Sequence, residues 1–263
     1  MKILITGGKG YLGKSIHSAL KDMFDVVSIS RDDFDLTSHE HLKRYLKGKY
    51  FDVVIHTAVS GGSRLREEKW SDMDNNLLMY YNLLRHKDHY GKLIHLGSGA
   101  EDLYKNTPYG LSKYVIKKSI EKQDNFFNLQ IFGLFDENEL DSRFIKSNLL
   151  RYISRKPMQI HMQKKMDFFY MKDLISLLTY IIKTPSKKLQ KQAYCSYLEK
   201  YSLMEIADMI NNLDEYKVDI NIANEQGVDY ICNSVTNYGL QYIGLQKGIQ
   251  EVYLKLKKLN KEQ

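Results

Sequence analysis

The chain has 263 residues, a formal net charge of +7 and 43% hydrophobic residues. This length accommodates one α/β domain with a smaller cap, or one large domain, and the composition is that of an ordinary globular protein. No apolar run is long enough to cross a bilayer, and no zinc-finger or RNA-binding signature occurs. We therefore expect no membrane insertion and no nucleic-acid partner.

The beginning of the chain reads MKILITGG, which predicts a short strand followed by glycines. A secretory signal needs a longer apolar core and a cleavage site, so we expect a cytoplasmic protein. Cys195 and Cys232 belong to no paired motif, and a reducing compartment then predicts two ordinary thiols. The positive charge predicts solvated surface lysines, and a phosphate-bearing ligand would also suit a positive cleft.

Strands and helices alternate regularly in the first half of the chain. The predicted strands cover residues 2–6, 25–30, 51–56, 92–96 and 127–132. The predicted helices cover residues 11–20, 37–46, 72–84 and 108–121. This alternation predicts an α/β fold with a Rossmann-type doubly wound parallel sheet, whose ligands bind at the carboxyl ends of the strands.

The rhythm changes after about Leu150. Short strand-like pieces at residues 158–161 and 167–170 mix with predicted helices at 172–182, 203–211 and 248–257. We interpret residues 1–155 as the Rossmann domain and residues 156–263 as a smaller mixed α+β domain. Some segments of the second domain could return to the first.

A glycine-rich turn joins the first predicted strand to the first predicted helix. It reads Thr6-Gly7-Gly8-Lys9-Gly10-Tyr11-Leu12-Gly13. Glycines permit a tight turn and a close backbone approach, so a pyrophosphate can bind the free N–H groups at the helix N-terminus. The alternative is a tight strand–helix connection without a ligand. The strand–turn–helix setting favours a dinucleotide cofactor.

Three further residues have the chemistry of a proton-transfer site. Tyr109 and Lys113 are four apart on a predicted helix and share one face. A nearby ammonium lowers the pKa of a phenol and makes it a usable proton donor or acceptor. Ser98 follows the fourth predicted strand, where its hydroxyl could bind a substrate carbonyl. Taken alone, each feature has another explanation: the spacing of Tyr109 and Lys113 could arise by chance, and Ser98 could be an ordinary turn serine.

In this order along the chain, the motifs resemble those of the short-chain dehydrogenase/reductase superfamily. The resemblance is to its extended branch, the NAD-dependent epimerase/dehydratase family that acts on nucleotide sugars. Further similar segments are His56-Thr57-Ala58, Asn76 and Asn82, Phe132-Gly133, residues 167–173 and residues 201–207. Residues 30–36 are similar to the corresponding segment of 4-keto-sugar reductases related to GDP-L-fucose synthase.

The resemblance implies roles for individual residues. Tyr109 would donate a proton, Lys113 would hold the nicotinamide ribose and lower the pKa of Tyr109, and Ser98 would polarise the carbonyl. The resemblance implies that the following residues bind the cofactor: Thr6, Gly7, Gly8, Lys9, Gly10, Tyr11, Leu12, Gly13, Arg31, Asp35, Leu36, Thr57, Ala58, Tyr109 and Lys113. The implied substrate contacts are Ser60, Ser98, Gly99, Arg143 and Lys165.

Arg31 bears on the choice of cofactor. A cation after the second strand stabilises an adenosine 2′-phosphate, whereas an acid there accepts the ribose hydroxyl. Arg31, with Lys9 as a second positive contact, therefore favours NADP(H) over NAD(H), although Asp32 and Asp33 follow directly. The alternative is that Arg31 is a solvated turn residue.

Two departures from the fucose-synthase pattern limit the implied chemistry. Ala100 and Arg143 stand where that family has a Cys and a His that move protons during epimerisation. Alanine exchanges no proton and arginine stays protonated, so coupled epimerisation is not expected. Arg143 could bind the diphosphate of a nucleotide, or it could cap or ion-pair a surface helix. Met166 replaces a family Arg, whose phosphate contact could pass to Lys164 or Lys165.

We therefore expect an NAD(P)H-dependent reductase of a nucleotide-activated 4-keto sugar, used in surface-polysaccharide biosynthesis and acting as a homodimer. One alternative is a 4-epimerase with tightly bound NAD, and another is a non-catalytic NAD(P)-binding sensor or scaffold. A dehydratase would need an acidic pair directly after the hydroxyl residue, whereas Gly99-Ala100 follows Ser98. His56 and His95 are expected to be core histidines and not metal ligands, and Trp70, Tyr80 and Tyr81 to be packing residues.

Overall fold

The structure is a computed structural model that describes residues 1–62 and 66–260. Its strands are β1 (Lys2–Thr6), β2 (Asp25–Ile29), β3 (Phe51–His56), β4 (Tyr90–Leu96), β5 (Phe126–Ile131), β6 (Leu134–Phe135), β7 (Met158–Ile160), β8 (Phe169–Tyr170), β9 (Gln192–Cys195) and β10 (Ile220–Ile222). Its helices are α1 (Tyr11–Leu20), α2 (His39–Leu46), α3 (Trp70–Arg85), α4 (Ala100–Leu103), α5 (Pro108–Ile120), α6 (Phe144–Ile153), α7 (Met171–Lys183), α8 (Leu203–Asn211) and α9 (Leu245–Leu259).

The largest sheet has the strand order β2-β1-β3-β4-β5-β9. Strands β1 to β5 run parallel to their neighbours. The chain passes from β1 to β2 on one side and then returns to β3 on the other side of β1. The strand order therefore reverses between β1 and β3, which is where such sheets bind ligands. This architecture confirms the predicted Rossmann-type doubly wound sheet.

The strands form because both faces of the sheet are covered. Ile3, Leu4 and Ile5 of β1 are fully buried, although successive side chains of a strand point to opposite faces. On one face, Leu4 and Val54 belong to a cluster with Met79 of α3 and other residues of α2, α3 and α5. Each such aliphatic side chain contributes about 1.5–3 kcal/mol by leaving water. Consecutive apolar residues therefore indicate β1 and β3, whereas other strands of the sheet include polar residues such as Asp25, Asn128 and Gln192.

The chain divides into two compact units. The first comprises Met1–Ile131 and Leu178–Ala193, and the second comprises Phe132–Leu177 and the chain from Tyr194 onward. The predicted division at residue 155 differs from these bounds. The second half of α7 and the first half of β9 belong with the early strands, because Gln192 and its neighbours extend the parallel sheet beyond β5.

The second unit has its own core. Among its mostly aliphatic side chains, aromatic rings stack in pairs, Tyr152 on Tyr216 and Phe135 on Tyr170. Two small parallel pairs, β10 with β7 and β6 with β8, accompany helices α6, α8 and α9. The sequence did not predict α6, β6, β9 or β10.

A buried lysine closes the end of α7. Lys92 of β4 donates hydrogen bonds from Nζ to the carbonyl oxygens of Ile181 at 2.5 Å, Ile182 at 3.3 Å and Thr184 at 2.8 Å. The last carbonyls of a helix have no partner within the helix and favour a cation. Burial lowers the pKa of Lys92 to about 8. The ammonium thus connects the fourth strand to the segment that returns to the first unit.

The predicted packing of aromatic residues on α3 is only partly correct. Tyr80 is fully buried and its hydroxyl donates to Ser119 Oγ at 3.0 Å. Trp70 is 60% exposed, so the prediction that it is a packing residue is wrong, whereas Tyr81 is 39% exposed and packs edge-on against the Tyr80 ring, with 5.5 Å between ring centres. Trp70 and Tyr81 lie on one face of α3, and the helical repeat places the buried Asn76 and Leu83 on another face. The expected homodimer stays a prediction.

Cys195 and Cys232 are both buried thiols. Burial raises the pKa of the Cys195 thiol, and the neighbouring Cys232 adds to this effect. Within the described ranges, no helix has the length and apolarity required to span a membrane.

Candidate active site

A cavity opens in the first unit at the carboxyl ends of β1, β2 and β3. Its volume is about 510 Å³, within the range of small-molecule and cofactor pockets. Its lining includes many of the residues predicted to bind a cofactor: Thr6, Gly7, Lys9, Gly10, Arg31, Asp35, Leu36, Thr57 and Ala58. Gly8, Tyr11, Leu12 and Gly13 belong to the adjoining turn and the first turn of α1.

The glycine turn has no room for side chains. Gly7 has a φ of +74°, and a Cβ there would lie 2.7 Å from the Ala58 nitrogen. A Cβ on Gly13 would lie 2.3 Å from the Gly7 carbonyl oxygen. The N-cap residue of helix α1 is Gly10, which offers no side chain to cap it, whereas Ser38, Thr107 and Ser202 cap α2, α5 and α8. The first N–H groups of α1 thus receive no cap from the Gly10 side chain, as an anion-binding helix N-terminus requires.

Hydrogen bonds fix the ends of β1 and β3 beside this turn. Thr57 donates from Oγ1 to the Thr6 carbonyl oxygen at 2.6 Å, and the Ala58 N–H donates to Thr6 Oγ1 at 3.3 Å. Thr6 Oγ1 also lies 2.8 Å from His56 Nδ1. Thr6 and Thr57 thus act mainly through the backbone position they impose, which holds the cavity wall in place.

The charged residues around Arg31 are arranged in pairs. Lys9 forms an exposed ion pair with Asp32, and Asp33 accepts a hydrogen bond from the Ser30 N–H at 2.8 Å. Arg31 is exposed and lines the cavity. The Thr37 N–H, together with its hydroxyl and nearby Arg31, lowers the pKa of Asp35. The two acids that follow Arg31 in sequence are therefore occupied by other partners.

Ser60 lies in a buried hydrogen-bonded network that the sequence did not reveal. Its hydroxyl donates to Asp72 at 2.5 Å, and its backbone pairs with Asn76 at 2.8 and 2.9 Å. Arg66, which lines the cavity, makes two hydrogen bonds to Asp72 at 2.8 and 2.6 Å. These donors hold the pKa of Asp72 well below its ordinary value. With its proton given to Asp72, the Ser60 hydroxyl can only accept a hydrogen bond from a ligand.

The same network reaches the helix that bears Tyr109. Asn76 donates to Ser112 Oγ at 3.1 Å, and Ser112 donates to the Tyr109 carbonyl oxygen at 2.7 Å. Gly62 packs against the Tyr109 ring, since a Cβ on Gly62 would lie 2.7 Å from Cε2 of that ring. The loop after β3 and the start of α5 are therefore held together. A motif search would not find this link, because Asn76 and Ser112 are 36 residues apart.

Lys113 is buried between Tyr109 and the end of β4. Its Nζ lies 5.7 Å from the centre of the Tyr109 ring and donates to the Leu96 carbonyl oxygen at 2.6 Å. The same atom lies 3.3 Å from Nε2 of His95. Burial lowers the pKa of Lys113 to about 8, and the charge of Glu101 opposes this shift. The predicted Tyr–Lys pair is thus brought together with the strand that leads to Ser98.

Ser98 is buried in the turn after β4. Its Oγ accepts a hydrogen bond from the Ala100 N–H at 3.2 Å, and its own N–H donates to Glu101 Oε2 at 3.2 Å. The neighbouring Gly99 N–H donates to the Ile131 carbonyl oxygen at 2.9 Å. The serine hydroxyl therefore accepts one backbone hydrogen bond, and the backbone on either side of it is fixed.

The two strand histidines differ in how well they are satisfied. His56 has its bond to Thr6, whereas Nδ1 of His95 has no hydrogen-bond partner in the described part of the chain. Burial, with Lys113 nearby, lowers the pKa of His56 to about 3 and that of His95 well below its ordinary value. Both are therefore neutral core histidines, and the prediction of satisfied ones fails for His95.

Two of the predicted substrate contacts belong to the second unit. Arg143 is exposed at the N-cap of α6, and no side-chain hydrogen bond caps that helix. Lys165 is exposed, and its N–H donates to Asp229 at 2.8 Å. An arginine at an uncapped helix N-terminus has the charge and the donors to bind an anion.

Glu139, just before Arg143, is a buried carboxyl group that the sequence did not single out. It is 4% exposed, and its Oε1 has no hydrogen-bond partner within residues 1–62 and 66–260. Burial raises the pKa of Glu139 to about 8, against the opposing charge of Arg143. The folded protein therefore binds this proton more tightly than the unfolded chain does.

This raised pKa predicts a pH dependence of stability. The contribution is complete below about pH 4.5 and is lost as the pH rises towards about 8, because ionising the buried group opposes folding. In the wild type, the free energy of unfolding should fall by on the order of a few kcal/mol over this range. Glu139→Gln should abolish this fall, because a glutamine side chain does not ionise. Urea unfolding between pH 5 and 8.5 measures it, with Glu225→Gln as the exposed control. Parallel pH profiles for wild type and Glu139→Gln would contradict the prediction.

Comparison with known families identifies the fold's relatives. The family model of the NAD dependent epimerase/dehydratase family matches residues 3–195, which is more than half of the chain. The chain belongs to this family. The match begins in β1 and ends in β9, so it includes the glycine turn, Ser98, Tyr109 and Lys113.

Members of the epimerase/dehydratase family resemble the chain along most of its length. A CDP-abequose synthase of Yersinia pseudotuberculosis is 21% identical over 82% of this chain and 85% of its own. A GDP-L-colitose synthase of the same organism is 24% identical over 82% of this chain and 83% of its own. The solved structure of a GDP-mannoheptose C4 reductase from Campylobacter jejuni with NADP bound has a TM-score of 0.82 at 18% identity. The match covers 97% of this chain and 98% of that one.

Family membership confirms the resemblance recognised in the sequence and the prediction of a nicotinamide-dependent enzyme. The motif residues were predicted from the sequence, and their roles stay predictions. The residues that pack around them, Arg66, Asp72 and Glu101, were not predicted. Their types and spacing give no signal, because they meet only when separate strands and helices pack together.

Proposed function

We propose that the chain is an NAD(P)H-dependent reductase that acts on a nucleotide-activated 4-keto sugar, as required in surface-polysaccharide biosynthesis. The observation that carries the proposal is the buried Lys113, which lies 5.7 Å from the Tyr109 ring and is hydrogen-bonded to the last residue of β4. Relatives named for CDP-abequose, GDP-L-colitose and GDP-mannoheptose chemistry support a nucleotide sugar as the substrate.

The chain's own residues supply the proton chemistry. The nicotinamide cofactor, when bound, supplies the hydride. Tyr109 donates its phenolic proton to the oxygen of the carbonyl being reduced, and Ser98 donates a hydrogen bond to the same oxygen. Lys113 stabilises the tyrosinate that remains and holds the nicotinamide ribose. Its desolvated ammonium is effective because the surrounding low dielectric strengthens charge interactions.

The residues around the cavity fit a dinucleotide. The turn from Gly7 to Gly13 brings backbone N–H groups close to the N-terminus of α1, where a pyrophosphate binds. Arg31 contributes the cation for an adenosine 2′-phosphate, since Asp32 and Asp33 are engaged with Lys9 and Ser30. We therefore favour NADP(H) over NAD(H), in line with the NADP-bound relative from Campylobacter jejuni.

The choice of cofactor predicts the effect of removing Arg31. Arg31→Ala should weaken NADPH binding by about tenfold or more, because a charge-assisted hydrogen bond contributes about 1.5–3 kcal/mol. NADH binding should change by less than about twofold, since NADH lacks the 2′-phosphate. Fluorescence titration measures both, with Arg44→Ala, an exposed arginine outside the cavity, as the control. Equal losses for the two cofactors would contradict a 2′-phosphate contact.

Arg143 and Lys165 provide cations for the diphosphate of the substrate. The guanidinium of Arg143 presents paired donors that suit phosphate oxygens. Ala100 offers no group that could move a proton at a second carbon of the sugar. The proposed reaction is therefore a single carbonyl reduction without epimerisation.

One observation favours a second candidate, a 4-epimerase with tightly bound NAD. Asp35 lines the cavity, and its lowered pKa keeps it as a carboxylate that could accept the ribose hydroxyls of NAD. An epimerase would use Ser98, Tyr109 and Lys113 as well, but it would return the hydride to the opposite face of the sugar.

The test is to identify the nucleotide that the purified protein retains and then to measure turnover. NADPH oxidation is followed with a panel of CDP- and GDP-linked 4-keto sugars. Oxidation with one of them supports the reductase. Retained NAD with interconversion of 4-hydroxy epimers would replace it by the epimerase. NADPH binding with no turnover on any substrate would favour a sensor or scaffold.

A further inference from the structure

A second carboxyl group is buried beneath the proposed active site. Glu101 of α4 is 0% exposed, although acidic side chains are seldom fully buried without partners. Its Oε1 accepts hydrogen bonds from Asn128 Nδ2 at 2.9 Å and Gln192 Nε2 at 3.2 Å, and lies 3.7 Å from Lys117 Nζ. These partners come from β5, β9 and α5, so three elements of the first unit meet at one carboxylate.

The other carboxylate oxygen fixes the turn that bears Ser98. Glu101 Oε2 accepts the Ser98 N–H at 3.2 Å. The turn has no spare room, because a Cβ on Gly97 would lie 2.7 Å from the same oxygen and 2.5 Å from Asn128 Oδ1. A shift of the carboxylate would therefore move the backbone on which the Ser98 hydroxyl depends.

Glu101 also contributes a negative charge that acts on Lys113. Burial lowers the pKa of Lys113, and among charged groups it is Glu101 that raises it. The other polar groups that act on the Lys113 ammonium include the Leu96 carbonyl oxygen and the neutral His95 and His56 imidazoles, with Tyr109 on the same helix. Glu101 itself is faced by Lys117, Asn128, Gln192 and Asp102.

We infer that Glu101 is a positioning residue, which holds the Ser98 turn in place through its hydrogen bond from the Ser98 N–H and supplies a negative charge that acts on Lys113. The inference rests on the proposed function, since it assigns a supporting role to a residue that touches neither substrate nor cofactor. Burying a carboxylate costs free energy, and hydrophobic packing at this position does not require one. The positioning role explains why the carboxylate is there.

Two substitutions separate the two parts of this role. Glu101→Gln keeps the size and an acceptor oxygen but removes the charge, so the pKa of Lys113 should fall. Glu101→Asp keeps the charge but shortens the side chain, so the bond to Ser98 should be lost. Asp102→Asn is the matched control, because Asp102 is the adjacent acid and pairs with Lys117 without contacting Ser98.

The first readout is the alkaline loss of NADPH binding, which needs no sugar substrate. Titrations from pH 7 to 10 should place its midpoint about 0.5–1 pH unit lower in Glu101→Gln than in wild type, as expected for loss of one nearby opposite charge. Asp102→Asn should match the wild type. Lys113→Met should abolish this alkaline loss, which identifies the group that titrates.

The second readout is turnover. Glu101→Asp should keep the wild-type midpoint but lose about tenfold or more in kcat, since a misplaced hydrogen-bond donor costs at least that much. If Glu101→Gln does not fold, Glu101→Asp alone decides, and wild-type kcat in that variant overturns the inference. An unchanged midpoint in Glu101→Gln, or an equal shift in Asp102→Asn, also overturns it. Failure of the wild type to bind NADPH would instead refute the proposed function.

Discussion

Tyr109→Phe is expected to reduce turnover of the 4-keto sugar by about 10²–10⁴-fold, because the substitution removes the proton donor while keeping the ring. The ring packs against Gly62, so a phenylalanine occupies the same space and the fold is kept. NADPH binding should change by less than about threefold, since the ribose contact is assigned to Lys113. Stopped-flow oxidation of NADPH at saturating substrate measures the effect on kcat.

The matched control is Tyr114→Phe, the same change five residues later on α5. Tyr114 lies near Lys105, whose Nζ is 4.6 Å from its ring centre, and it has no place in the proposed chemistry. It should keep wild-type turnover. If Tyr109→Phe retains more than about a tenth of the wild-type kcat, Tyr109 is not the general acid and another donor must be sought.

Lys92→Met is expected to destabilise the protein by about 2–4 kcal/mol, because it leaves the carbonyl oxygens of Ile181, Ile182 and Thr184 without their donor. Methionine fills a similar volume, so the loss reports the hydrogen bonds and not a cavity. Part of the loss is offset, since the folded protein no longer buries an ammonium whose pKa burial has lowered to about 8.

Urea unfolding gives the overall change for Lys92→Met, and hydrogen exchange of the amides in residues 178–184 shows where it arises. Lys122→Met, an exposed lysine after α5, is the control and should be neutral. Faster exchange at the end of α7 with unchanged exchange in α8 is the expected pattern. Wild-type stability would mean that water replaces the ammonium at these carbonyls.

The first half of the fold could be predicted because its signals are local. β1, α1 and β3 have the predicted bounds, and β1 and β3 each contain three consecutive apolar residues, at positions 3–5 and 53–55. Gly13 is required by a contact with the Gly7 carbonyl oxygen six residues earlier, so this part of the turn could be predicted locally, whereas Gly7 is required by its positive φ and by Ala58 after β3. Ser98, Tyr109 and Lys113 lie at the positions that this order of elements implies.

The remainder depends on contacts between distant parts of the chain. β9 joins the sheet beside β5, although about 60 residues separate Asn128 from Gln192, whose side chains are 2.9 Å apart. Lys92 and Glu101 have ordinary surroundings in the sequence, and only packing shows that their charges are buried. The sequence alone indicated Arg31 as a candidate cation for the cofactor, but only the structure shows that Lys9 forms an ion pair with Asp32.

The position of β9 has a practical consequence for expression of shorter pieces. A fragment that stopped at residue 155 would lack β9, and the N–H of Asn128 would lose the Lys191 carbonyl oxygen that it reaches at 2.8 Å. β5 would then present an open, apolar edge, which is a template for intermolecular strand pairing. Such a fragment should aggregate, whereas one that includes residues 178–193 keeps that edge covered.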